Sequence, residues 1–426
     1  MPKKVLIITY YWPNAGGPGV QRWLKFVKYL PEFDIEPVVY CPENATYPII
    51  DNTLESEVSK TITVLKQPIK EPYKLAGLFS KQSKTISKGI IKADKKQNLI
   101  EKVMLYVRGN FFIPDARKNW VNPSVKFLEN YIKENNIDAI ITTGPPHSLH
   151  LIGMQLKAKL NVTWFADFRD PWTTIGYHKK LKLTKASKEE HLKLEHEVLN
   201  KANHIIVTSY NTKLEFSAKT QQPISVITNG FDDENIKVDA LDEKFTISHI
   251  GSLLSERNPE ILWQVLSELI QENKLFSKQF ELQLVGAVGE AILDRLKFYN
   301  LMPHTNLVGY VNHLQAVSLQ KKSQVLLLVE INSQDTKAII PGKLFEYFNA
   351  NRPILAIGPD GSDVEGLIHQ TNTGHYYLYN EKEALKQCVL NCFNLYLKDS
   401  LISESNSILK FSRKYLTGQL AKILTT

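Results

Sequence analysis

Cysteine is scarce. Three residues, Cys41, Cys388 and Cys392, stand in a chain of 426, with no CxxC pair and no Cys/His cluster at zinc spacing. That excludes a disulfide scaffold and a structural zinc module. Cys388 and Cys392 lie four apart in a helical pattern and are expected to be core thiols. Long apolar runs are lacking too, since none approaches the roughly 18–20 residues of a membrane span. The apolar stretch Val5–Thr9 near the N-terminus runs into Tyr10-Tyr11-Trp12-Pro13 and a glycine loop without a small-residue cleavage site. It suits a buried first strand better than a leader, and the expected location is the cytoplasm. Glycine and proline, 20 residues each, are too few for a collagen-like or low-complexity chain. No repeat at solenoid periods is evident. The patterns of nucleic-acid binding modules are missing as well, so no nucleic-acid partner is expected.

What is present is ordinary material for packed cores: 43% hydrophobic and 23% charged residues, in a length that implies two or three domains. The formal net charge of +8 is unevenly spread. From Lys60 to Arg108 twelve Lys/Arg face three acids, Glu71, Asp94 and Glu101, which leaves the rest of the chain near neutral. Tyr73, Leu75, Leu78, Phe79, Ile86, Ile90, Ile91 and Leu105 are interleaved with these cations. Such a stretch suits an anionic lipid surface, where each Lys/Arg is worth about 1 kcal/mol. It equally suits a solvated basic insertion at about 55–120.

Short β-branched runs alternate with helical periodicity, the pattern of a doubly wound α/β chain with buried parallel strands. Val5–Thr9, Pro37–Tyr40, Ile137–Ile141, Val162–Ala166, His204–Ser209 and Ile224–Ile227 read as strands of a first domain, residues 1–228. A polar, acidic linker at about 228–243 follows. A second series, Phe245–Ile250, Leu282–Val285, Val325–Val329 and Pro353–Ile357, marks a second domain, residues 229–402. Residues 403–426 read as a terminal helix that must dock on one of the two.

In open α/β sheets ligands sit beyond the carboxyl ends of the strands, so the loops there are the informative ones. Gly16 and Gly17 open a helix and let backbone N–H groups approach an anion, although the same residues suit a tight turn. Gly251 and Ser252 end a strand, and Arg257 follows just before the next helix, placed to clamp a diphosphate. Gly342 and Lys343 start another helix, whose free N–H groups suit a phosphate. Glu346, one turn further on, can accept the two hydroxyls of a ribose. In the first domain His147 follows Pro145-Pro146 after a strand and could bond a sugar hydroxyl. Asp167, Arg169 and Asp170 form either part of an acceptor side or an internal ion-pair network. No acidic pair reads as a metal site.

With these residues in view, the chain resembles the family 4 glycosyltransferases of the GT-B fold over nearly its whole length. PGKLFEYFNANRPILA is similar to the family's helix bearing the second Glu of an E-x7-E motif, here Glu346. HIGSLLSERNPE is similar to its phosphate-binding loop, with the basic residue at Arg257. FADFRDPW and GPPHS resemble a bacterial surface-polysaccharide subgroup. The sequence departs from the pattern where Ala338 replaces the first Glu and Ser252 replaces the Arg that often follows the loop glycine. The resemblance implies two Rossmann-like domains facing across a cleft, with the C-terminal helix crossing back to the first. It implies retaining, metal-independent transfer, needing no cofactor, from a UDP- or GDP-type sugar to the hydroxyl of a glycan or lipid-linked acceptor. His147, Arg257 and Lys343 would serve the chemistry, and Gly16, Gly17, Gly251, Ser252, Gly342 and Glu346 would join Arg257 and Lys343 around the donor. The basic stretch 60–108 adds to the cytoplasmic expectation the option of a peripheral place at the inner face of the plasma membrane. The alternatives are a nucleotide-sugar epimerase of the same fold and an inactive membrane-associated scaffold.

Overall fold

The computed structural model describes residues 2–71, 99–232, 238 and 240–425. The chain divides into two units: Met1–Asn229 with Arg413–Thr426, and Gly230–Ser412. Most of the basic stretch 60–108 lies outside the described residues, as does part of the linker.

The first unit holds a parallel seven-stranded sheet. Its strands are β1 (Lys3–Ile8), β2 (Ile35–Pro42), β3 (Thr63–Gln67), β4 (Ala139–Gly144), β5 (Thr163–Phe168), β6 (His204–Val207) and β7 (Ile224–Val226), in the order β3-β2-β1-β4-β5-β6-β7. The apolar runs are continuous because both faces are covered. Leu6 and Ile8 pack into one core with Trp164 and Ala166, while Val5 and Ile7 pack into another with Ile141 and Phe165. β3 pairs with β2 from Val38–Thr63 to Pro42–Gln67, so residues 63–67, within the stretch of about 55–120 expected to be an insertion, belong to the sheet.

The second unit holds a parallel six-stranded sheet: β8 (Phe245–Ile250), β9 (Phe280–Val285), β10 (Thr305–Gly309), β11 (Val325–Val329), β12 (Ile354–Gly358) and β13 (Gly374–Leu378), in the order β10-β9-β8-β11-β12-β13. It too has a core on each face, one with Ile247, Leu327 and Ile357, the other with Leu326, Leu328 and Ala356. Strand order reverses between β1 and β4 in the first sheet and between β8 and β11 in the second, and a ligand crevice is expected at such a switch point.

The terminal helix is Arg413–Thr425, which starts later than the sequence pattern suggests. Phe411, just before it, packs with Phe345 and Phe348 of the second unit. Leu416, Leu420, Ala421 and Leu424 join Trp23, Val27 and Leu30 in the first unit's core, where Arg413 also donates to Gln21 at 3.0 Å. Cys388 is buried and Cys392 partly so on helix Lys382–Tyr396, and both are free thiols. Among the described residues no helix is long and apolar enough to cross a membrane.

Candidate functional site

At the switch point of the second unit β8 and β11 part company. Their register holds at Val325–Ile247 and Leu326–Ser248 and then stops. Backbone groups beyond that point need other partners, and side chains supply them. Tyr347, on helix Gly342–Ala350, accepts from the Ile250 N–H at 3.0 Å and lies 3.4 Å from the Leu327 carbonyl. His249 Nδ1 lies 3.0 Å from the same carbonyl. A ligand crevice is expected at such a splay, and Gly251, Ser252, Arg257, Glu330 and Lys343 lie on the segments leaving it.

Gly251 has a φ of +111°, and a Cβ there would lie 2.8 Å from Lys343 Nζ. Glycine thus lets the loop turn in the left-handed region while the lysine crosses it. Lys343 Nζ is 3.1 Å from His249 Nε2. No carboxylate among the described residues pairs with Lys343 or Arg257, and Ser252 is exposed. Burial, and then the Arg257 charge, push the Lys343 amine down to about 7, against the pull of Glu346. Helix Gly342–Ala350 begins here with its N–H groups free of side-chain caps, and its dipole adds positive potential. Two cations and a helix start thus converge with no carboxylate ion-paired to either cation among the described residues. Glu346 is partly buried and held in place by Gln320, whose Nε2 donates to Oε2 at 2.8 Å.

Glu330 was not singled out from sequence, although a lone acid closing the run VLLLV is a visible signal. It is 4% exposed at the end of β11. Ser362 Oγ donates to its Oε1 at 2.9 Å, and Tyr376 Oη lies 2.8 Å from Oε2. The Tyr376 hydroxyl is also 2.8 Å from the Pro359 carbonyl, and it has one proton for two acceptors. A protonated Glu330 resolves this: it donates to Tyr376 Oη, which donates to Pro359. Burial drives the carboxyl the same way, up to about 7, although the Tyr376 and Ser362 bonds and the Arg257 charge oppose the shift.

In the first unit the sequence-derived residues separate. Asp167 is fully buried and already satisfied, as the acceptor for Arg22 Nη2, Trp23 Nε1 and Thr143 Oγ1, each at 2.8 Å. Of its two expected roles it takes the structural one. Arg169 donates to the Pro145 carbonyl and stands over the Tyr11 ring, so it pins the loop after β4. Asp170 is partly buried, and burial raises its carboxyl against the opposing Arg169 charge. Gly16 departs from the expected anion contact, because its N–H donates to the Ile49 carbonyl at 2.9 Å and is committed to the loop. Gly17, with φ +91°, caps helix Pro18–Tyr29.

His147 remains a candidate. It precedes helix Ser148–Leu160, stacks on Trp172 with centroids 4.7 Å apart, and is 5% exposed. Neither ring nitrogen has a hydrogen-bond partner. Burial, then neighbouring His150, hold it well below the usual histidine range, so it is a neutral imidazole at physiological pH. Leaving its polar atoms bare costs about 1–3 kcal/mol, which a ligand hydroxyl could recover. Among the described residues no three His, Cys, Asp or Glu side chains group as a metal site.

No family model matches the chain, and no curated protein matches it. Solved structures do. Anabaena HepE in complex with UDP is 15% identical with a TM-score of 0.63, over 99% of both chains. Sucrose-phosphate synthase from Thermosynechococcus elongatus is 13% identical with a TM-score of 0.62, over 99% of this chain and 98% of that one. A variant of S. aureus TarM, in complex with fondaparinux, alpha-GlcNAc-glycerol and UDP, is 12% identical with a TM-score of 0.58 over the whole of both chains. The likeness shows the fold, which is that of the GT-B glycosyltransferases.

Proposed function

We propose that this protein is a glycosyltransferase that moves a sugar from a nucleoside-diphosphate donor, of the UDP or GDP type, to an acceptor hydroxyl. The observation that carries the reading is the convergence of Arg257, Lys343 and a helix start at the switch point of the second unit, with no carboxylate among the described residues ion-paired to either cation. In the transfer, the bond from the sugar C1 to the diphosphate oxygen breaks and a bond to the acceptor oxygen forms. The diphosphate leaves with the extra negative charge, and the acceptor proton departs with it. Preorganised cations stabilise that developing charge without reorganisation, an effect worth several kcal/mol when one such donor is removed. Glu346, held by Gln320, would take the ribose hydroxyls. His147, a neutral imidazole with bare nitrogens, would bond the transferring sugar or the acceptor.

In this reading transfer is retaining, as the family resemblance implies, and it is metal-independent because two side-chain cations and the helix start replace a divalent ion at the leaving group. The sugar is a hexose, and the product is a cell-surface polysaccharide or glycolipid. The exposed apolar residues Val103, Tyr106, Val107 and Phe111 of helix Leu99–Phe111, at the C-terminal end of the basic stretch, support a lipid-surface acceptor. Sedimentation with anionic against neutral vesicles tests that part.

The central test is thermal stability with UDP, GDP, ADP and dTDP and their sugars, with and without EDTA. One diphosphate should shift the melting temperature, with EDTA making no difference, and Glu346→Ala and Arg257→Ala should shrink the shift. Folded protein that responds to no nucleotide refutes the donor site. Conversion of the sugar donor into its epimer, with no acceptor present, would replace transfer by epimerisation.

A further inference from the structure

β8 is fully buried although Thr246, Ser248 and His249 are polar. His249, 1% exposed, sits one residue from its end, between the last ladder pair and the glycine turn. Its Nδ1 faces the Leu327 carbonyl at 3.0 Å, and a carbonyl only accepts. The proton of the neutral ring is therefore on Nδ1, and Nε2 presents a lone pair. That lone pair faces Lys343 Nζ at 3.1 Å. We propose that His249 is the positioning residue for Lys343: it accepts a hydrogen bond from the amine and sets where that charge meets the diphosphate. The inference rests on the donor-site reading above.

The charged groups around the lysine give the arrangement a consequence. His249 faces it from β8, Arg257 from the following loop and Glu346 from its own helix, while Glu330, at the end of β11, is near Arg257. Burial and the neighbouring guanidinium bring the Lys343 amine to about 7, so the empty site is only partly charged at neutral pH. A bound diphosphate favours the ammonium and draws a proton from solvent. Affinity should therefore fall as pH rises through about 7, and binding should take up protons. Without the His249 acceptor the ammonium is less favoured, so the midpoint should move to lower pH.

The test is calorimetric titration of UDP, then GDP, into the full chain from pH 6 to 9, in two buffers of different ionisation enthalpy. Wild type should bind with proton uptake. His249→Phe should weaken UDP by roughly tenfold or more, the loss of one charge-assisted hydrogen bond, and shift the midpoint downward. His249→Gln places an amide oxygen near the position of Nε2 and should restore most of both. His249→Asn keeps a donor near Nδ1 but cannot reach the lysine, and should behave like His249→Phe. The Asn/Gln pair carries the test if His249→Phe fails to fold. In a Lys343→Met background none of these changes should matter further. Folded His249→Phe or His249→Asn with wild-type affinity and pH profile overturns the inference and leaves the donor site standing, as do losses that simply add to that of Lys343→Met. Wild type that binds neither UDP nor GDP overturns both.

Discussion

Replacing Asp167 by alanine should cost the first unit most of its stability, and the size of the loss tests whether this residue is architecture or chemistry. Its carboxylate joins β5 to helix Pro18–Tyr29 and to β4. Arg22 Nη2 donates to Oδ1 at 2.8 Å, and Trp23 Nε1 and Thr143 Oγ1 both donate to Oδ2 at 2.8 Å. Arg22 Nη1 in turn holds the Thr228 carbonyl at 2.9 Å. The side chains of the pair are 1% and 0% exposed. Removing the carboxylate strands the guanidinium in the core, and breaking one partner of a buried pair costs about 3–5 kcal/mol. In a unit of this size each kcal/mol moves the melting temperature by about 2–4 °C, so a fall of roughly 6–20 °C is expected. Five of the six tryptophans, all but Trp263, lie in the first unit, so tryptophan fluorescence follows its unfolding against urea or heat.

A double variant, Arg22→Met with Asp167→Ala, should lose much less than the two single losses combined, because no charge is left stranded. Burial alone would raise the Asp167 carboxyl, but Arg22 outweighs it and holds the group below the ordinary aspartate range. Its stabilising contribution is therefore full above the unfolded pKa of about 4 and is lost as pH falls through the lower folded value. A melting change under about 3 °C in Asp167→Ala, with transfer activity abolished, would refute the structural reading and return Asp167 to the acceptor side.

Three further outcomes are expected. Glu330→Gln should change the pH dependence of the second unit's stability. The native carboxyl titrates at about 7 and the unfolded one near 4.5, so the native state binds the extra proton and wild-type stability falls between those values. The glutamine variant should lack that fall in urea unfolding followed across pH 4.5–7.5. Gly251→Ala should weaken UDP binding by roughly tenfold or more without preventing folding, because the new methyl meets Lys343 Nζ at 2.8 Å and the φ of +111° disfavours any side chain; unchanged affinity by calorimetry would contradict the placement of the lysine. Gln320→Leu should reduce donor affinity by raising KM more than it lowers kcat, since it frees Glu346 from its 2.8 Å bond without touching the reacting atoms.

How far the sequence shows this molecule depends on burial. β8 and β11 are fully buried, and the bounds of β11 follow from hydrophobicity alone. β3, β10 and β13 escape notice because they lie at sheet edges, where one side has no neighbour and exposed or half-buried residues break the run. The loop residues Gly251, Arg257, Gly342, Lys343 and Glu346 are visible because their types are unusual after a buried strand. His249, Glu330 and Gln320 are hidden for the opposite reason. Each is a buried polar residue that its neighbours in the sequence do not set apart, and only the spatial neighbours give it meaning.

His249 shares a physical origin with Tyr347, since both bond backbone groups at the parting of β8 and β11. Where β8 and β11 stop pairing, the sheet loses ladder hydrogen bonds in a place that remains buried, and every stranded N–H and C=O must find another partner. Polar side chains are therefore required at the switch point whatever the protein does. Once there, they lie in a low dielectric beside a helix start, where a histidine stays neutral, a lysine loses part of its charge and a glutamate keeps its proton. A ligand that brings negative charge to this crevice meets groups whose protonation it can change. The same splay that makes the fold need polar residues thus makes the site responsive to an anion. Lys343 joins the two requirements, because its amine is bonded to the strand through His249 and is ion-paired with no carboxylate among the described residues.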